Sequence, residues 1–596
     1  MASVDLETIR QDLARRFVAP LPEFYQRRII FWYDEEREFE DQIGELALDG
    51  VTVLALTGSN TFAVKKQLCE DDLTSNFLVY DPRPFTKDDD NWLINVQLYS
   101  EEFRADLNSI WMDEMGLPAT PIIRNQVKRY RKFFRAKDRR DAVKKLSGGI
   151  STAPQMHLAV MAVLSGCGSL QPGAVLRAVL ESGLELETNS VYQSFVNYGA
   201  DQAFWVMVSQ GTGYSEGEDS SLSRLAIHLL LTAATRTMHS DLLAGLDAFL
   251  SVPHQAYCYD FVSDWLHSQD TARLYEIARY VEQEAHLPQR FSKLPVDDLV
   301  DTACFPCIDE CILTSLMKEI VDHIIKVESI RLVVEKRRTM PWYQSVASYY
   351  EGLLQVANMQ AFFAEHSAGF HTVEPHRIWN EYTSDYYRMD TYYRLFHLCF
   401  QHSLMESHPL LDDLFKQVAD KVEGVYTHWF LGQLGQNWSD SCAENLEKYG
   451  RILEVPQQTD FYAQKVRPSE NRIFVIISDG LRYEVAASLA EEFQREMQCK
   501  VTLGSCEALF PAVTKFGMAA LLPHKKLEVK PRADGTLAVL ADGEPTEDGY
   551  RDKLLKAANS ASIALKYKNI VGLKRQERQE LVKGMSVVYI YHDTID

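Results

Sequence analysis

The chain has 596 residues, 46% of them hydrophobic, and 62 Lys plus Arg against 84 Asp plus Glu give it a formal net charge of -22. That length and apolar share support roughly three or more ordinary domains and exclude a small or disordered protein. The acidic balance excludes a surface that coats nucleic acid all over, so any polyanion contact must be local.

The first region, residues 1–118, reads as a parallel α/β domain of Rossmann-like or receiver-like type. The runs "RIIFWY", "VTVLALTG", "NFLVYD" and "WLINVQLY" are expected as strands, and polar stretches such as "EEREFEDQIGELALD" as helices between them. Two strands end in acids, Asp34 with Glu35, and Asp81. Their placement resembles the carboxylate cluster of a response-regulator receiver, but the lysine and proline that a receiver carries after its last strand are missing from "WLINVQLYSEE". A plain α/β docking domain is the simpler expectation.

Residues 119–465 change to long helical periods, as in "SRLAIHLLLTAATRTMHSDLLAGLDAFL" and "WYQSVASYYEGLLQVANMQAFFAEH", with no fixed repeat. The longest apolar runs, such as "LLLTAA" from Leu229, fall short of the roughly 18–20 residues that a membrane span needs. The start "MASVDLETIRQDLARRF" shows no secretory pattern, so no membrane association and a cytoplasmic location are expected. Arg124 to Leu146 holds eleven Lys or Arg and two acids, Asp138 and Asp141. It is expected as a basic helix that either contacts DNA phosphates or an acidic partner, or connects domains by pairing with acids of its own chain. "CFPCIDEC" (Cys304, Cys307, Cys311) begins like a metal motif, but no second pair stands at the right spacing, so reduced thiols on a buried helical face are expected. The aromatic run from Tyr382 to Phe400 is expected as helix core rather than as a base-stacking platform. The chain contains no G-x-x-x-x-G-K-[ST], G-x-S-x-G or H-E-x-x-H.

After a linker-like "VPQQTDFYAQKVRPSENR", residues 466–596 carry the chemistry. The strand "IFVIIS" delivers Asp479, with Gly480 next and a helix from about Arg482. In open α/β sheets ligands gather beyond the carboxyl ends of strands, which is where such an aspartate would lie. In "VTLGSCEALFPAVTKFGMAALLPH" a strand is expected to about Leu509 and an apolar helix from Thr514. Thr514 either caps that helix or offers its hydroxyl to a phosphoryl group there. The last strand, Val587 to Tyr591, ends in His592, Asp593 and Asp596. Carboxylates, imidazole and hydroxyl at one sheet edge suit divalent ions such as zinc or manganese.

These three segments, "IFVIISDGLRYE", "FPAVTKFGMAALLPH" and "VVYIYHDTID", resemble the alkaline-phosphatase superfamily and, within it, the PglZ family of BREX phage-defence systems. The resemblance implies a fold of an N-terminal parallel α/β domain, a large helical middle and the beginning of an alkaline-phosphatase-like α/β domain. It implies that Asp479 is a metal ligand, that Thr514 is the nucleophile and bridges the metals, and that Asp596 is a further ligand, with His592 and Asp593 on the approach to it. The implied cofactors are two divalent ions, Zn2+ first and Mn2+ or Mg2+ as alternatives, which at about 4 Å apart would activate the hydroxyl for in-line phosphoryl transfer. The implied partners are other BREX proteins, BrxB and the PglX methyltransferase. The Asp-His pair of the superfamily's later strand is absent, so the expectation is a chain that continues beyond Asp596 in the whole protein and is inactive as it stands. The alternative is an assembly protein whose α/β and helical regions dock BREX partners.

Overall fold

Strand β1 (Ile29–Tyr33) is the run "IIFWY", and its first four residues are buried. It pairs in parallel with β3 (Asn76–Asp81) and β4 (Glu101–Phe103), while β2 (Val51–Ala55) pairs in parallel with β3, giving the order β2-β3-β1-β4. Parallel strands need their faces covered, which is why they are near-continuous apolar runs. Here Ile29, Phe31, Phe77 and Val79 pack with Val64, Leu68, Leu93 and Val96. The computed structural model describes residues 4–35, 37, 39–83, 91–105, 107–405 and 408–595, and the chain divides into two units, Met1–Val281 and Glu282–Asp596.

Two expectations for the first unit fail. "WLINVQLY" is not a strand: Ile94–Gln97 is a helical turn, and the fourth strand is Glu101–Phe103. Leu93 and Val96, three apart, bury one helical face, and Asn91 Oδ1 accepts from the Leu93 N–H at 3.1 Å. "EEREFEDQIGELALD" does not form the expected helix either: among its described residues only Ile43–Glu45 is helical, as a 3-10 turn. Its path is tied down by Asp34 instead, whose Oδ2 accepts from the Phe39 N–H at 2.8 Å and from the Tyr80 hydroxyl at 2.5 Å. Asp81 is gripped by Arg83, whose Nε and Nη2 donate to its two oxygens at 2.7 and 2.9 Å. Both strand-end acids therefore anchor the sheet edge.

The basic segment is three helices, Pro121–Arg129, Arg131–Phe134 and Lys137–Leu146, broken at Tyr130 and Ala136. Its cations divide by environment. Arg140 is buried, donating to Glu114 at 2.7 Å and to the Phe134 carbonyl at 2.7 Å, and Lys132 reaches the Asn197 carbonyl. Arg135, Lys137, Lys144 and Lys145 are exposed. The apolar run from Leu229 belongs to the core helix Leu222–Ala234. Among the described residues no helix is long and apolar enough to cross a membrane.

The second unit begins with helices. Cys307 and Cys311 lie on the helix Cys307–Val321, buried and free, and burial pushes the Cys311 thiol up to about 12. The aromatic run opens with a π-helical turn, Tyr382–Tyr386, and continues as the helix Tyr387–Ser403, in which Met389 and Phe396 are fully buried. The hydroxyls of Tyr382, Tyr386 and Tyr393 are spent inside the fold, Tyr393 on Glu423 at 2.7 Å.

The α/β part of this unit carries β5 (Ile473–Ser478), β6 (Leu527–Pro531), β7 (Leu537–Ala541), β8 (Glu544–Pro545), β9 (Ser562–Lys566) and β10 (Val587–His592). One sheet has the order β5-β10-β9, all parallel, and the other is antiparallel β6-β7-β8. Val475, Val587, Tyr589 and Tyr591 form a common core with Met518, Leu522 and Leu555. Tyr462 and Val466 join that core from a π-helical turn, Tyr462–Val466, so the stretch expected as a linker is part of the packing. The strand expected to run to Leu509 does not form; its residues pair only through an isolated bridge from Glu507 to Gln457. Glu507 is buried and accepts from the Ile452 N–H and from Gln457 Nε2, which holds this segment by its side chain instead.

Candidate functional site

The middle strand β10 and its neighbour β5 end together. Their register sets Ser478 opposite His592, the Asp479 N–H donates to the His592 carbonyl at 3.0 Å, and Ser478 Oγ lies 2.8 Å from His592 Nδ1. Asp479 and His592, which are 113 positions apart, thus meet at the carboxyl edge of a parallel sheet, with Asp593 next along the chain. The Tyr567 ring stands edge-on to the imidazole at 4.8 Å between centroids. With Nδ1 engaged by the serine, Nε2 is the nitrogen free of that contact.

Beyond Asp479 the chain must reverse into a helix, and Gly480 makes the turn at φ 75°, a conformation that costs other residues about 1–2 kcal/mol. The helix runs Tyr483–Glu496, with Arg482 exposed at its N-cap. Two contacts fasten its start. The Tyr483 hydroxyl donates to the Thr383 carbonyl at 3.0 Å, and buried Glu484 takes Arg394 Nε on both oxygens at 2.8 and 2.9 Å. Beside them, burial pushes Asp390 above the usual carboxylate range, while the hydroxyls of Tyr426 and Tyr382, each donating at 2.7 Å, oppose the shift. Sequence reading passed over Glu484 and Arg394; the signal was an acid in the first helical turn of an otherwise apolar-faced helix.

Thr514 is the first residue of the helix Thr514–Ala520, and it is exposed. Val513 occupies the capping position, so the hydroxyl of Thr514 does not cap the helix. The helix sits on the core shared with β5 and β10 through Met518, and Tyr589 of β10 donates to the Leu521 carbonyl at 2.9 Å. No hydrogen bond joins Thr514 to Asp479 or His592 among the described residues. Asp596 lies outside the described residues.

The donor chemistry at this edge, a carboxylate and an imidazole, is that of a zinc or manganese ligand set. Among the described residues no three His, Cys, Asp or Glu gather closely enough to hold an ion, so these donors form part of a set at most.

Beside the Asp479 turn lies a cavity of about 580 Å³, lined by Leu481, Tyr483, Trp379, Trp438, Tyr382 and neighbours.

Comparison with known proteins gives a family and two long relatives. The family described as "BREX system PglZ alkaline phosphatase-like domain" matches residues 461–596. The chain is 31% identical over 600 residues to "Alkaline phosphatase-like protein PglZ" of Bacillus cereus (strain H3081.97), a match that covers 100% of this chain and 68% of the relative. It is 30% identical over 604 residues to "Alkaline phosphatase-like protein BrxZ" of Escherichia coli O9:H4 (strain HS), covering 97% of this chain and 68% of that one. No solved structure gives a significant match.

Proposed function

The chain belongs to the PglZ family of BREX alkaline-phosphatase-like proteins, and on that premise we propose that it serves phage defence as a metal-dependent phosphoryl hydrolase acting on a phosphodiester or phosphomonoester. The observation that carries the reading is the main-chain junction of Asp479 with His592 at the carboxyl ends of two adjacent parallel strands, inside the region that matches the family. In this reading residues 466–596 begin the catalytic domain, residues 119–465 are a helical region and residues 1–118 a docking domain.

Asp479, Asp596 and Thr514 would hold the metal, and Thr514, uncommitted to capping, serves as the nucleophile. Two bound divalent ions, zinc or alternatively manganese or magnesium, would supply Lewis acidity and charge neutralisation. The Thr514 hydroxyl gives up its proton to water as its oxygen bonds phosphorus, the bond to the leaving oxygen breaks and that oxygen takes a proton from water, and a second water then cleaves the phosphothreonine ester, releasing phosphate or a phosphomonoester and restoring the hydroxyl. Ser478 fixes the imidazole of His592 so that its other nitrogen faces away from the serine. The protein acts in the cytoplasm with other BREX proteins, BrxB and PglX among them.

A second reading, assembly, is favoured by the first unit. Its strand-end acids are committed to the fold, whereas Arg135, Lys137, Lys144 and Lys145 are exposed on two neighbouring helices and suit DNA phosphates or an acidic partner. Thr514→Ala and Asp479→Ala, each made in the full-length protein, separate the two. Loss of phage restriction and of bis-nitrophenyl phosphate hydrolysis, with BREX complex formation intact, supports catalysis; unchanged restriction refutes it.

A further inference from the structure

We propose that the cavity beside the Asp479 turn is a binding site for the base of a nucleotide-class phosphoester, held so that the phosphate reaches the sheet edge. Its volume, about 580 Å³, falls in the range of about 300–1,000 Å³ that small-molecule sites occupy. The walls are built from rings. Trp379 and Trp438 stand 6.1 Å apart between centroids, and Tyr382 and Tyr483 are likewise 6.1 Å apart. Tyr382 and Tyr483 have spent their hydroxyls on Asp390 and on the Thr383 carbonyl, which leaves their ring surfaces to line the space. A planar aromatic group gains most from such a lining, because every base offers a π-face to stack.

Two polar groups on the lining can read the edge of a base. Ser505 Oγ accepts from Trp379 Nε1 at 2.8 Å and keeps its own hydrogen to donate. Thr383 Oγ1 donates to the Trp379 carbonyl at 2.9 Å and keeps a lone pair to accept. These groups give the apolar lining one donor and one acceptor, which a heteroaromatic ring can use and a hydrocarbon cannot.

Position gives the phosphate its place. Leu481 lines the cavity and lies two residues after Asp479, so their Cα atoms are within about 7 Å. This part of the inference rests on the proposed hydrolase reading; base binding itself does not.

Gly435, on the cavity wall in the helix Gly432–Tyr449, supplies the test. A Cβ added there meets nothing within 4 Å, so Gly435→Leu fills the cavity without straining the helix. The probe is 5′-AMP, titrated calorimetrically into the whole chain, with ribose 5-phosphate as the control lacking a base. Saturable AMP binding, at least about tenfold weaker in Gly435→Leu and in Trp438→Ala and at least about tenfold weaker for ribose 5-phosphate, is expected. Gly435→Leu keeps the wild-type circular dichroism and melting temperature, so its effect on AMP reads the cavity even if Trp438→Ala, which loses packing on Cys442 and Ile452, melts lower. Absence of AMP binding to the wild type, equal binding of ribose 5-phosphate, or AMP binding unmoved by Gly435→Leu would overturn the proposal. Asp479→Ala reports separately on the hydrolase reading: cavity variants that weaken AMP while Asp479→Ala leaves phage restriction untouched would keep the base site and sink the hydrolase. The reverse pair of results would do the opposite.

Discussion

Glu484 is the side chain that fixes where the Asp479 turn ends, and Glu484→Ala tests that role. Its carboxylate is 1% exposed and accepts Arg394 Nε on both oxygens, which ties the first turn of the Tyr483–Glu496 helix to the Tyr387–Ser403 helix. Removing one partner of a fully buried pair costs about 3–5 kcal/mol. Arg394 keeps 34% of its side chain exposed, so water relieves part of the orphaned charge and the cost falls to about 2–3 kcal/mol. Read locally by amide hydrogen exchange, that cost lowers the protection of residues 483–496 by about 30- to 150-fold, while helices such as Leu222–Ala234 in the other unit keep theirs. Glu484→Gln retains a hydrogen-bond acceptor of the same shape and loses about half as much. In a double-mutant cycle with Arg394→Ala the coupling should exceed about 1 kcal/mol. Protection in Glu484→Ala within twofold of wild type would show that the pair does not hold the turn.

Further predictions concern the helical core and the first unit. Arg337 and Asp309 are paired at 2.8 and 2.7 Å with almost no exposure, and the Tyr350 hydroxyl adds a third bond to Asp309 at 2.7 Å. Arg337→Met leaves that carboxylate buried without its countercharge and should cost about 3–5 kcal/mol in urea unfolding, part of it recovered in Arg337→Met with Asp309→Leu, which still leaves the Tyr350 hydroxyl and the Val300 and Thr302 carbonyls without these partners. A double variant no more stable than the single one would contradict this. Asp72 is held down to about 2 by the Ser75 hydroxyl first and then by the Ser75 and Thr74 N–H groups. Its folded value lies below the ordinary carboxylate value of about 3.9, so its contribution to stability is present above pH 4 or so and is lost as pH falls toward about 2. Asp72→Asn should remove that acid-side dependence, and an NMR titration midpoint for Asp72 near 3.9 would refute it.

Several things were legible in the one-dimensional pattern. The parallel α/β character of both ends, the helical middle and the family all follow from apolar runs punctuated by turn residues and from three short motifs. These signals are local, so no tertiary information is needed to read them. Asp479 was legible for the same reason, since a charged residue that halts an apolar run must sit at a strand end. Errors arose where a short segment had two periodicities available. "WLINVQLY" satisfies both an alternating and an i, i+3 pattern, and only the burial of Leu93 and Val96 against β1 and β3 chose the helix. The 501–510 segment and the supposed linker were misread because what holds them, Glu507 on Ile452 and Tyr462 in the strand core, comes from distant residues.

By itself, then, the sequence determined which residue types stand at strand ends and helix starts, because period, turn chemistry and motif spacing are properties of neighbours along the chain. Only the tertiary structure decided that the His592 carbonyl meets the Asp479 N–H, that Glu484 and Arg394 clamp the turn between them, and that four aromatic rings line an open cavity at its side. Those are contacts between residues up to 113 positions apart, set by strand register and side-chain packing, and no local pattern encodes either one.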